Sequence, residues 1–190
     1  MIPTAEQFLD SHAEWRREYR GVAYLIAWWG RSEYQPTGIW NMYLLLPEPM
    51  FPGDSFQRVL CSKKTITIGA REREVYDYMK FPDLEGFNGG VTYYDILSND
   101  EGRIVKVGCD YNHLWDDERG HPENLDWVDR DARRSIDELH DLFPGLRVRC
   151  RYDHAWHDAS DGRLTKHGEF VCEEHVGEFN AKLFEVEEVA

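Results

Sequence analysis

Hydrophobic and polar positions alternate along most of this chain with the period of a β-strand, and one long stretch switches to the period of a helix. The apolar runs Val22–Trp29 and Ile39–Leu46 are bounded by glycine and proline. They predict two buried strands paired as an antiparallel hairpin across a nine-residue connection. Val91 and Tyr93, then Val105, Val107 and Cys109, alternate with polar neighbours on either side of Ser98-Asn99-Asp100-Glu101-Gly102. That pattern predicts a second hairpin with turn residues that tolerate unusual φ. Leu146, Val148, Cys150, Tyr152 and Trp156 share parity, with Arg147, Arg149 and Arg151 on the other face. A single long hairpin turning at 158–162 would set Arg151 opposite Glu169 and Cys150 opposite Phe170.

The helical period is clearest at Val128, Ala132, Ile136, Leu139 and Phe143. It predicts a helix over about 127–143, opened by Asp126 as cap and stopped by Phe143-Pro144-Gly145. Phe8, His12, Trp15 and Tyr19 fall on one helical stripe and predict a first helix at 5–18, with Thr4 and Gln7 as a capping box. A closing helix is expected at 173–183. The segment 50–87 predicts a short helix at 55–61 and a short strand at 65–68. Together these elements define a single α+β domain, residues 1–190: a mainly antiparallel sheet with two to three packed helices.

Composition narrows the function. The chain is 42% hydrophobic and 14% aromatic, a globular balance without linkers or repeats. No apolar run approaches a membrane span, and MIPTAEQFLD lacks the basic-then-apolar form of a secretory signal. Cys61, Cys109, Cys150 and Cys172 show no CxxC pair. They read as reduced, buried thiols of a cytoplasmic protein rather than a disulfide framework or a zinc ribbon.

The net charge is −14. Residues 1–109 hold 15 acids and 12 bases, a net of −3, and residues 110–190 hold 21 acids and 10 bases, a net of −11. Such a field repels phosphate backbones and argues against direct nucleic-acid binding, while it attracts a basic protein face. On the predicted helix, Asp129, Asp137, Glu138 and Asp141 are the candidate contacts for such a partner.

Candidate chemistry sits at the end of the central hairpin. Asp110, His113 and Asp116 form a DxxHxxD loop whose carboxylates and imidazole suit either a divalent metal or an acid/base pair. No cofactor is otherwise implied. His154 and His157, with His167 beyond them, are read as structural. GxSxG, GxxxxGK[ST], GxGxxG and HExxH are all missing.

Several of these motifs, taken as a set, resemble an uncharacterised family of small tailed-phage and prophage proteins. The resemblance lies in Asn41-Met42-Tyr43 before Pro47-Glu48-Pro49, in Gly89-Gly90-Val91-Thr92-Tyr93, and in Gly108-Cys109-Asp110 through His113 to Asp116, followed by the 127–143 helix. It covers about residues 39–143. The chain departs from that pattern with Asn88 where the family carries histidine, and with Pro-Glu-Pro in place of a Gly-His-Pro turn. The resemblance implies a phage or prophage origin and an α+β fold, and no established activity. Two expectations follow for function. One is an accessory protein of the host cytoplasm that binds a basic host protein, blocking a defence or nucleic-acid-handling complex. The other is a small metal-dependent or acid/base enzyme using Asp110, His113 and Asp116.

Overall fold

A computed structural model describes residues 11–31, 33, 38–100, 102–111, 124–165 and 168–177. The architecture is α+β and mainly antiparallel, as the patterning implied. Its centre is a five-stranded sheet of β1 (Ala13–Tyr19), β2 (Val22–Trp29), β3 (Ile39–Pro47), β6 (Tyr93–Asn99) and β7 (Gly102–Asp110), in the order β1-β2-β3-β7-β6. β4 (Lys63–Ile68) and β5 (Arg71–Tyr76) form a separate two-stranded arm. A helical turn at Phe56–Leu60 precedes them, close to the expected 55–61.

The expected hairpins are present. β2 and β3 pair with Ala23 opposite Leu45 and Trp29 opposite Ile39. β6 and β7 close through Asn99 opposite Gly102. Alternation then dictates the layers, because successive strand residues face opposite sides. Tyr24, Ile26, Met42, Leu44, Val105 and Val107 are fully buried on one face. Against them packs the helix α1 (Leu125–Leu142), which buries Val128, Ala132, Ile136 and Leu139. Each buried Val, Leu, Ile or Met among them contributes on the order of 1.5–3 kcal/mol. The cap of α1 is Asn124, whose side chain accepts from the Trp127 N–H, two positions before the expected Asp126.

The first expected helix is a correction. Ala13–Tyr19 is strand β1, paired with β2 from Ala13 opposite Trp28 to Tyr19 opposite Val22. Trp15 and Tyr19 are four apart, a spacing that one helix face and one strand face share. The turn decides between them: Arg20 (φ 48°) and Gly21 (φ 74°) are both left-handed, the form that a tight two-residue hairpin requires. Residues 1–10 of that expectation lie outside the described residues. Gly21 has a second constraint. A Cβ there would stand 2.7 Å from the Arg149 amide nitrogen, so only glycine lets the next part of the chain dock on this turn.

That part is a small C-terminal lobe, and here the expected single long hairpin is also corrected. β8 (Arg147–Arg149) turns back at once to pair with β9 (Trp156–Asp158), Arg147 opposite Asp158 and Arg149 opposite Trp156. β10 (Gly162–Leu164) pairs with β11 (Phe170–Cys172). Two of the expected contacts persist, Cys150 beside Phe170 and the ion pair of Arg151 with Glu169, but the Cys150–Phe170 bridge is parallel, so the expected antiparallel register is not formed. Residues 173–177 are helical, and the rest of the expected 173–183 lies outside the described residues. No helix among the described residues is long and apolar enough to cross a membrane.

Candidate metal centre

The lobe has its own core of only four buried residues, Val148, Cys150, Phe170 and Cys172, with Tyr152 packed against it. Two of the four are thiols. Three-residue hairpins around so small a core do not hold themselves together without a staple.

The sequence builds a turn at 151–155 that carries a potential staple. The amide of His154 donates to the Cys150 carbonyl at 3.0 Å, and the amide of Cys150 to the Ala155 carbonyl at 2.9 Å. The Asp153 side chain closes the turn by accepting from the Ala155 N–H at 2.8 Å, while His154 takes the left-handed φ of 59°. Cys150 and Asp153 therefore face the same side. On the other segment, Cys172 ends β11 and His175 lies on the helical turn that follows, three residues on, where helix geometry sets both on one face.

These four residues converge. One ligand atom from each of Cys150, Asp153, Cys172 and His175 lies within 4.8 Å of every other. Cys172 Sγ is 3.0 Å from His175 Nδ1 and 3.6 Å from Asp153 Oδ2. His175 Nδ1 is 3.6 Å from the same carboxylate oxygen. A tetrahedral zinc ion with bonds of 2.0–2.3 Å separates its ligand atoms by about 3.3–3.8 Å; the two distances to Asp153 Oδ2 match this, the Cys172–His175 distance is shorter, and the widest separation must close by up to about 1 Å to seat the ion. The sulfurs are buried, and the carboxylate and imidazole are about three-quarters covered.

The surroundings suit the ion as well. The Cys172 N–H donates to Cys150 Sγ at 3.4 Å, and the Tyr152 ring stacks on His175 with centroids 5.6 Å apart. His157 Nε2 lies 3.2 Å from Asp153 Oδ2 and orients the carboxylate from outside the ligand set. The Ala155 N–H, helped by Cys150 and His157, holds the Asp153 carboxyl down to about 2, so it is an anion at any physiological pH. Burial pushes the Cys172 thiol up to about 11, with the Cys150 sulfur adding to the effect. A divalent cation reverses that penalty by displacing the proton.

The residues expected from sequence fare differently. Asp110 ends β7 opposite Asn41, and its N–H donates to Thr92 Oγ1 at 3.0 Å. His113 and Asp116 lie outside the described residues, as does His167. Of the acids assigned to a partner, Asp129 is a correction, since it is buried between α1 and the sheet. It accepts from Tyr24 Oη at 2.6 Å, Arg17 at 2.8 Å and Arg133 at 2.9 Å. Asp137 pairs with Arg20 at 2.7 Å. Glu138 accepts from the Glu85 N–H and from Arg134. Asp141 is exposed.

The metal-capable set was hidden by a search for paired cysteines. The four cysteines are indeed free and buried. Cys150 and Cys172, however, each head an x2 spacing: Cys150-x2-Asp153, then eighteen residues (154–171), then Cys172-x2-His175. This is the spacing of a two-turn zinc site with one carboxylate and one imidazole in place of two thiols. No family model matches the chain, no curated protein matches it, and no solved structure matches it. The resemblance to phage proteins thus stands on its motif residues alone.

Proposed function

We propose that the chain is a zinc-binding accessory protein. A structural zinc ion held by Cys150, Asp153, Cys172 and His175 staples the two hairpins of the C-terminal lobe to each other, and the assembled surface binds a protein partner. The convergence of those four ligand atoms within 4.8 Å carries the reading. Four protein ligands saturate a tetrahedral ion, the arrangement of structural rather than catalytic zinc, which keeps one position open for water or substrate. Two thiolates and an imidazole favour zinc over calcium or magnesium, which prefer oxygen.

The binding role is supported by the net charge of −14, a field that steers basic surfaces. Its exposed acids include Asp126 and Asp141 at the ends of α1 and Asp158, Asp161, Glu173 and Glu174 on the lobe. The motif resemblance supports a setting in which that partner belongs to the host of a phage or prophage.

Thermal unfolding tests the metal half of the proposal. Stripping with EDTA should lower Tm by about ten degrees, and zinc should restore it, since a tightly bound ion adds several kcal/mol by mass action. Cys172→Ser should unfold like the stripped protein and ignore zinc. A Tm indifferent to both chelator and zinc contradicts the reading.

A further inference from the structure

The turn that carries Cys150 and Asp153 also forms the outer wall of a cleft, whose other wall is the face of the sheet turned away from α1. The cleft measures about 370 Å³, within the range of roughly 300–1,000 Å³ typical of small-molecule sites. Its floor is apolar, with Ala23, Leu45 and Ile104 from three adjacent strands and Trp156 from the lobe. Its rim is cationic in a protein that is otherwise strongly acidic. Arg16 projects from β1, Arg149 from β8, and His154 lies at the apex of the turn. Arg103 also lines the cleft, but Glu48 engages it at 2.6 Å, so its charge is balanced.

Arg149 is positioned rather than mobile, because its Nε donates to the His154 carbonyl at 3.0 Å. Arg16 has no hydrogen-bond or ion-pair partner among the described residues. Glu18 lines the rim beside them, and Glu169, which Arg151 engages, lies in the adjoining hollow with Glu18 and Arg149. Burial raises the Glu18 pKa and Glu169 adds to the rise, while Arg149 and Arg16 oppose it. Counted with Glu48, the lining holds three guanidiniums against two carboxylates, above an apolar floor and an indole.

We infer that this cleft is a binding site for a small organic monoanion. Its carboxylate, phosphate or sulfonate group would be gripped between Arg16 and Arg149, with an apolar body on Leu45, Ile104 and Trp156. Guanidinium forks pair bidentately with carboxylate and phosphate oxygens. The inference rests on the metal reading for one point only, the rigidity of the wall formed by residues 149–156.

Fluorescence titration of the zinc-loaded full chain with anilinonaphthalene sulfonate, a monoanion on an aromatic body, tests it. One saturable site per chain is expected. Arg16→Glu, an exposed position on β1, should weaken it by about tenfold or more. Ala23→Phe, which fills the floor, should do the same by excluding the rings. Phenylnaphthylamine, which has the rings without the sulfonate, should bind more weakly and ignore Arg16→Glu. Zinc content is measured on every sample. Full zinc without saturable dye binding, or dye binding indifferent to Arg16→Glu and Ala23→Phe, overturns the cleft and leaves the metal reading standing. Dye binding that responds to both substitutions in a protein devoid of zinc overturns the metal reading and leaves the cleft.

Discussion

The backbone N–H of Cys172 donates to the sulfur of Cys150 at 3.4 Å, joining two turns that are twenty-two positions apart. The bond holds both ligand-bearing segments close enough to share one ion. The same contact links the end of β11 to the end of β8, so ligand geometry and lobe geometry are one arrangement.

His157 acts on this arrangement through Asp153. Its Nε2 is 3.2 Å from the carboxylate oxygen that faces the Cys172 sulfur and His175 Nδ1. His157→Ala should leave the fold in place and weaken zinc binding by about 10–100-fold, the usual cost of losing an outer partner of a ligand. Competition with a chromogenic chelator measures this. An unchanged zinc affinity would remove His157 from the site.

Asp129 ties α1 to the sheet by neutralising Arg17 and Arg133 while accepting from Tyr24. Burial alone would raise its pKa, but the Tyr24 hydrogen bond and the two guanidiniums outweigh it and bring the pKa below 3.8. Both arginines are about one-third exposed, which discounts the cost of orphaning them. Asp129→Asn should therefore destabilise by about 2–3 kcal/mol, and Tyr24→Phe by about 1–2 kcal/mol. The double variant should cost less than the sum, because the two share one network. Since the folded pKa is depressed, this stability is present above about pH 4 and is lost as pH falls through the lowered value. Urea unfolding at neutral and acid pH measures both effects. An Asp129→Asn protein as stable as the parent would show that the network contributes nothing.

His140, in the last turn of α1, has its Nε2 buried with no hydrogen-bond partner among the described residues. Burial, with Arg20 nearby, lowers its pKa from 6.5 to about 4. The unfolded chain therefore takes up a proton near pH 6.5 that the folded chain refuses until about pH 4. The neutral imidazole's stability is complete above the higher value and is lost across that window as pH falls. Partial exposure keeps the loss on the order of 1–2 kcal/mol. His140→Phe should flatten the stability profile there. Parent and variant share the metal site, so the difference between their profiles isolates this residue. Identical slopes would contradict it.

The sheet and the long helix were legible because their patterns are unambiguous. Val22–Trp29 and Ile39–Leu46 are too short and too uniformly apolar for a surface helix, and Val128 to Leu139 repeats with helical spacing over three turns. β1 was misread because Trp15 and Tyr19, four apart, satisfy both periods, and the left-handed Arg20-Gly21 pair that breaks the tie is a turn signal, not a periodic one. The lobe was misread for a related reason. Its first reversal has no glycine or proline, and Asp153 and His154 make the turn through a side-chain cap and a strained φ. Parity therefore ran straight through 151–155 and merged two short hairpins into one. The metal-capable set shared that blind spot, since the turn that brings Asp153 beside Cys150 is the turn the pattern does not show. Asp129 was placed on the solvated face because the helical stripe marks where a side chain points and does not show the arginines that let a carboxylate be buried.

The metal content of the purified chain tests the central claim most directly. Protein expressed in zinc-supplemented medium and passed through a desalting column should carry one zinc ion per chain by elemental mass spectrometry. Cys150→Ser and Cys172→Ser should carry none, and Cys61→Ser and Cys109→Ser, whose thiols lie in the main core, should carry one. A parent chain that is folded and metal-free, or a zinc content that falls equally in all four variants, would contradict the account.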